Sequence, residues 1–240
     1  MGGGPGGQKK PSPFKESTVF TLDIGNVSKF YNRKEVWVIY FYKAGQREKK
    51  KVLEEYMAVA EKLSGIIKVA AMDCVAEEEL CEEFGARQLP SLMIYNENKG
   101  EAGVKYKGKM EQGPIAGAAS KRMQSFVDSV TEKNYDWFVY REVAEKHKVL
   151  LFTDKKSTPA IFKALSKKYE KEMLFGMVEE SETGLIEKFK VTSFPTIMVL
   201  TDPEAHTGDI YKGELKIEKL QRFMITYAKN KPKIVVKPEF

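Results

Sequence analysis

Two stretches of the chain carry one pattern at a fixed separation, and that separation limits the possible folds more than any other feature. Glu82 to Tyr95 reads EEFGARQLPSLMIY, and Glu187 to Leu200 reads EKFKVTSFPTIMVL. Each runs from a helix end through a short loop to an apolar residue, a proline, a small hydroxylated residue and an apolar strand. The prolines are Pro90 and Pro195, and downstream YKGK at Tyr106–Lys109 returns as YKGE at Tyr211–Glu214. Both pairs are separated by 105 residues. A repeat of domain length implies two copies of one fold, because solenoid units run to only ~20–50 residues. The 240 residues suit two small domains.

Between these landmarks, strand and helix signals alternate. Val36–Tyr42 is a continuous β-branched and aromatic run, as a central buried strand requires. Lys49–Leu63 then places Val52, Leu53, Tyr56, Met57, Val59, Ala60 and Leu63 at helical spacing. The pattern predicts a strand over Ile66–Met72 and a short helix over Glu78–Phe84 ended by Gly85. Strands over Leu92–Tyr95 and Val104–Tyr106 and a helix over Ile115–Met123 follow. The second copy opens at Ser125–Val130 and continues with helices over Trp137–Lys146, Pro159–Tyr169, Gly184–Phe189 and Ile217–Ala228. Its strands are predicted over Val149–Thr153, Leu174–Val178, Thr196–Leu200 and Asp209–Tyr211. Thr158 and Pro159 suit a helix start, with Thr as the cap. The alternation implies an α/β fold, a sheet with helices on both faces. The expected division is a flexible Gly/Pro/Lys linker over 1–17, domains over 18–124 and 125–230, and a tail over 231–240.

Charge excludes little. Lys and Arg number 40 against 34 acids, a net charge of +6, but the lysines are interleaved with acids along the whole chain. This reads as a solvated surface, and no nucleic-acid motif accompanies it. No apolar run approaches the ~20 residues that cross a bilayer. GGGPGG at the start is broken by proline and follows no strand, so it is not a nucleotide loop. Asp202–Asp209, DPEAHTGD, lacks the spacing and closing Glu of a calcium loop. His147 and His206 lie in polar contexts without a catalytic partner. No cofactor, metal or small-molecule substrate is therefore expected.

FYKAGQREKK, Phe41 to Lys50, joins the first strand to its helix, and MDC, Met72 to Cys74, precedes a short helix. Together with the two apolar–Pro–hydroxyl loops, these segments resemble the thioredoxin superfamily, and within it the protein disulfide isomerases, over about Val19 to Lys229. The resemblance implies tandem thioredoxin-fold domains, each a central mixed β-sheet flanked by helices. It implies that Pro90 and Pro195 are cis and lie beside the site that holds extended peptides. Catalytic members end this strand in a segment like FYAPWCGHCK, where the helix dipole helps make a reactive thiolate. Laid over that pattern, the two cysteine positions are Gln46 and Lys49, the tryptophan position is Gly45, and the buried acid falls on Tyr40. Thiol–disulfide exchange requires a thiolate, which neither Gln nor Lys supplies. The first domain is therefore expected to be redox-inactive. The second is expected to match it, because no cysteine follows Cys81.

Cys74 and Cys81 are the only cysteines. Two cysteines with no nearby His do not complete a zinc set, which leaves two buried thiols or a disulfide. The resemblance favours the disulfide, since some luminal disulfide isomerases carry a structural bridge at this spacing. A stable bridge implies an oxidising compartment, here the endoplasmic reticulum lumen, with the natural signal sequence expected to lie outside this sequence.

The resemblance thus implies a non-catalytic module that binds unfolded or partner proteins as a chaperone or adaptor in the secretory pathway. Leu89, Pro90 and Ser91 in the first domain, and Phe194, Pro195 and Thr196 in the second, are its expected contact residues. The alternative is a structural spacer within a larger protein, such as a J-domain co-chaperone or an oxidoreductase with catalytic CxxC domains elsewhere. Two further segments each allow two readings. The basic run Arg47–Lys51, REKKK, is a solvated helix end or a dock for an acidic partner. The aromatic run Tyr135–Glu142, YDWFVYRE, is core packing or an exposed client surface.

Overall fold

The computed structural model describes residues 12–46 and 49–232. The chain divides into two compact units between Met123 and Gln124. In the first, the elements run β1 (Phe20–Thr21), α1 (Ser28–Tyr31), β2 (Trp37–Tyr42), α2 (Lys50–Lys62), β3 (Lys68–Asp73), α3 (Glu78–Glu83), β4 (Ser91–Tyr95), β5 (Val104–Lys105) and α4 (Gln112–Ser120). The second unit runs β6 (Val127–Ser129), α5 (Tyr135–Tyr140), β7 (His147–Thr153), α6 (Ala160–Lys168), β8 (Met173–Glu179), α7 (Thr183–Lys188), β9 (Thr196–Asp202), β10 (Thr207–Ile210) and α8 (Ile217–Ala228). The sheets have the orders β1-β3-β2-β4-β5 and β10-β9-β7-β8-β6. Taken from opposite edges, these are one topology: three parallel strands, then two antiparallel ones. Each sheet is mixed, has five strands and is flanked by helices, so both units are thioredoxin folds.

The sequence of β2 shows why its sheet is covered on both faces. All six residues of WVIYFY are buried. Because strand side chains alternate, Trp37 and Phe41 meet Phe30 of α1 and Phe84 beside α3. Tyr40 and Tyr42 point the other way, onto Phe14, and Tyr40 also meets Tyr56 of α2. The fully buried Tyr56 hydroxyl lies 2.6 Å from the Ala70 carbonyl and 3.1 Å from that of Val38, satisfying its donor between two strands. Burial holds its pKa well above the usual phenol value.

Several expectations are corrected. Residues 12–17, assigned to the linker, belong to the first unit: Phe14 is 1% exposed and packs edge-on against Tyr40, Tyr42 and Tyr56. A single aromatic in a polar stretch shows no periodicity, so its burial is invisible to pattern reading. The rest of the assigned linker, 1–11, lies outside the described residues, as does 233–240 of the assigned tail. The elements β1 and α1, of two and four residues, carry too few apolar positions to register as a pattern. The helix predicted over Trp137–Lys146 stops at Tyr140, where Arg141 turns to extended backbone and Glu142 takes a positive φ of 49°. Pro159, not Thr158, caps α6, and the Thr158 hydroxyl reaches Met177 Sδ at 3.7 Å.

The internal repeat extends further than the prolines. Ahead of α1, Asn26 Oδ1 accepts from the Asp23 amide and its Nδ2 donates to the Thr21 carbonyl. Ahead of α5, Asn134 repeats both bonds with Thr131 and Ser129. Each turn is also tied to the start of the third helix: the Ile24 amide donates to Glu77, and the Glu132 amide to Glu182.

Candidate functional site

In the first unit, β2 ends at Tyr42 and a short loop leads to α2. The loop turns at Gly45, whose φ of 89° is a conformation that a side chain resists. It is fastened by the Ala44 amide donating to Asp73 Oδ1 at 2.9 Å and by the Gln46 amide donating to the Lys43 carbonyl at 3.0 Å. Arg47 and Glu48 of the basic run lie outside the described residues. Lys49 is the extended residue before the first turn of α2, and both it and Gln46 are exposed.

The Leu89–Pro90 and Phe194–Pro195 peptide bonds are both cis. In the first unit, the antiparallel pairing of β2 with β4 places Tyr40 opposite Leu92 and Phe41 opposite Ser91. That register brings the proline loop beside the β2–α2 junction. The result is an open cleft of about 450 Å³ lined by Tyr40, Gln46, Lys49, Pro90 and Ser91 from the sequence-derived set. Val52, Leu92, Lys105, Tyr106, Lys107, Gly108 and Met110 complete its walls, and the last five had no signal in the sequence beyond the YKGK repeat. The repeat itself has a local cause. The Tyr106 hydroxyl donates to the Lys109 carbonyl at 2.7 Å, and Tyr211 donates to Glu214 at the same distance. Each ring lies across the intervening glycine, Gly108 or Gly213, where a Cβ would collide with it.

Not every expected contact residue faces outward. Leu89 is partly buried and packs against the core under β2 and α3, away from the cleft lining. Its counterpart Phe194 is 36% exposed, and Pro195 beside it is exposed as well. The two hydroxyls also differ. Thr196 Oγ1 donates to the Ser193 carbonyl at 2.7 Å, whereas Ser91 Oγ, buried at 6% exposure, makes no hydrogen bond within the protein.

Cys74 and Cys81 form a disulfide, with Cα atoms 5.7 Å apart. It joins the residue after β3 to the middle of α3, and both cysteines belong to the core cluster. The chain's two cysteines are thus both committed to one bond, and no CxxC pair occurs in the sequence. Among the described residues, no group of three or more His, Cys, Asp or Glu side chains could hold a metal, and no helix is long and apolar enough to cross a membrane. The histidines do local structural work: His147 Nε2 lies 2.9 Å from the Asn230 carbonyl, and His206 stacks on Tyr135 and meets the Phe189 ring edge-on. The aromatic run splits by face, with Tyr135, Phe138 and Val139 buried but Trp137 55% and Tyr140 50% exposed. Arg141 lies over the Trp137 ring at 4.2 Å.

Comparison with known proteins adds family matches to this geometry. Residues 15–129 match a family described as a thioredoxin-like domain, and residues 123–232 match the A6-like middle domain family. A Dictyostelium discoideum protein named as a protein disulfide-isomerase is 28% identical over 203 residues, covering 82% of this chain and 49% of its own. A Drosophila melanogaster protein disulfide-isomerase A6 homolog is 30% identical over 95 residues, 40% of this chain and 22% of its own. Mouse DnaJ homolog subfamily C member 10 is 25% identical over 117 residues, 49% of this chain and 14% of its own. The chain therefore spans about half or less of these relatives. The crystal structure of full-length ERdj5 superposes with a TM-score of 0.63 at 15% identity, over 89% of this chain and 33% of that one, a likeness of fold.

Proposed function

We propose, for a chain that belongs to the protein disulfide isomerase-like thioredoxin superfamily, that it binds unfolded or partner polypeptides without covalent chemistry, as a chaperone or adaptor of the secretory pathway. The observation that carries this reading is the cleft joining the β2–α2 junction to the cis-Pro90 loop. Extended peptide lies there with its backbone against the Pro90 loop and its apolar side chains against Tyr106, Met110 and Val52. In the second unit, the exposed Phe194 beside cis-Pro195 offers an apolar contact of the same kind.

Thiol exchange is not part of this function. The cysteine positions of the family pattern are Gln46 and Lys49, and the two cysteines of the chain are bonded to each other in the core. The disulfide and the family together support the endoplasmic reticulum lumen as the compartment.

The test is an NMR titration of labelled protein with an unfolded model polypeptide, alongside an insulin-reduction assay. Shifts centred on residues 89–92 and 105–110, or on 193–197, with no acceleration of reduction, are expected. Flat spectra at high ligand concentration would instead favour a spacer module inside a longer protein. That second reading draws on the chain's limited coverage of its relatives. Catalysed reduction would overturn the redox-inactive assignment.

A further inference from the structure

We propose that the first unit's cleft selects acidic extended segments, which rests on the reading of that cleft as a peptide site and names its substrate class. Three lysines, Lys49, Lys105 and Lys107, stand in its walls, all exposed, and no carboxylate occurs among the lining residues that are described. None of the three enters an ion pair among the described residues, and Lys105 Nζ donates to the neutral Gln88 amide at 3.0 Å. Elsewhere the lysines of this chain are interleaved with acids, and several pair with them: Lys50 with Glu54, Lys146 with Glu142, and Lys156 with Glu179. The cleft departs from that pattern. Like charges gathered on one concavity raise the local concentration of a ligand of opposite sign.

The occupant that fits is an extended polypeptide carrying Asp or Glu, with its backbone along the Pro90 loop and its acids between the three lysines.

The test compares two unstructured peptides of identical apolar sequence, one bearing three Glu and the other three Gln, titrated into the full chain and followed by NMR shifts at residues 89–92 and 105–110. The Glu peptide is expected to bind about tenfold more tightly at low salt, the sum of three modest exposed pairs, with the gap closing as salt is raised. Replacing all three lysines, Lys49→Glu, Lys105→Glu and Lys107→Glu, is expected to invert the preference. These side chains are exposed, so an unchanged melting curve checks the fold. Equal binding of the two peptides at the cleft overturns acidic selectivity and leaves the peptide site standing. Binding of neither overturns both readings.

Discussion

The Ala44 amide donates to Asp73 Oδ1 at 2.9 Å, so the loop that ends β2 hangs from the last residue of β3. The same oxygen accepts from the Val75 amide at 3.0 Å. One carboxylate thus shapes both the β2–α2 loop and the approach to the disulfide. Asp73→Ala removes both bonds, one to a half-buried and one to an exposed amide, and is expected to cost about 0.5–1.5 kcal/mol. Urea titration reads the loss, and hydrogen exchange at Ala44 and Val75 should accelerate in the variant.

The Cys74–Cys81 bond closes a short loop that contributes to the first unit alone. Cys74→Ala with Cys81→Ala is expected to lower that unit's stability by about 2–3 kcal/mol on the chain-entropy account. Hydrogen exchange resolved by unit is the readout: protection should fall across β2 and β3 and stay unchanged across β7 and β8.

The contact residues of the two proline loops are expected to separate in mutation. Leu89 packs against the core, so Leu89→Ala should cost roughly 1–3 kcal/mol of stability and is a poor probe of binding. Phe194 is exposed, so Phe194→Ala should change stability by less than about 0.5 kcal/mol while weakening polypeptide binding. A melting curve and a binding titration on each variant decide the matter. A large stability loss for Phe194→Ala would mean that its ring is structural.

Stability should be shaped by pH above neutrality. Burial lowers the Lys148 ammonium from 10.5 to about 8, although its Nζ donates to the carbonyls of Lys146 and Glu142. Between those values the unfolded chain holds a proton that the folded chain has released, so the second unit gains stability as pH rises from about 8 toward 10.5. Tyrosines act in the opposite sense. Burial, aided by hydrogen bonds to Glu83 and Asp209, raises Tyr31 and Tyr227 from 10.0 to about 12, so their contribution is full below 10 and lost as pH climbs through 12. Thermal midpoints from pH 7 to 11 should therefore rise and then fall, and Lys148→Gln should remove the rise.

The paired glycines offer an internal control. Gly108→Ala and Gly213→Ala each drive a Cβ into the tyrosine that spans them. Both should displace the ring and lose its bond to the carbonyl three residues on, at about 0.5–1.5 kcal/mol for the bond alone. Tyr106→Phe combined with Gly108→Ala should cost little more than Gly108→Ala, because the bond is already gone, and chemical denaturation of the double-mutant cycle measures it.

Much of the fold was legible because its signals are local. The buried run at β2 and the helical spacing of α2 each lie within a few turns of chain, and the repeat is found by matching two such local patterns, around Pro90 and Pro195, 105 residues apart. They determined two copies of one α/β unit, and they put Gln46 and Lys49 where the resemblance expects cysteine. The meeting of Tyr40 and Lys49 with Ser91 and Lys107 was not legible, because it depends on the antiparallel register of β2 with β4. Nor could the loops LPS and FPT be told apart. Leu89 turns into the core and Phe194 out, and the Ser91 hydroxyl is unpartnered while that of Thr196 is bonded. Phe14 is the same lesson at the N-terminal side, since only the three tyrosines it covers make it core. Periodicity, turn chemistry and the absence of a thiol belong to the residues themselves. Burial, hydrogen-bond satisfaction and the gathering of like charges are sums over neighbours far apart in sequence, and only the packed chain sets them.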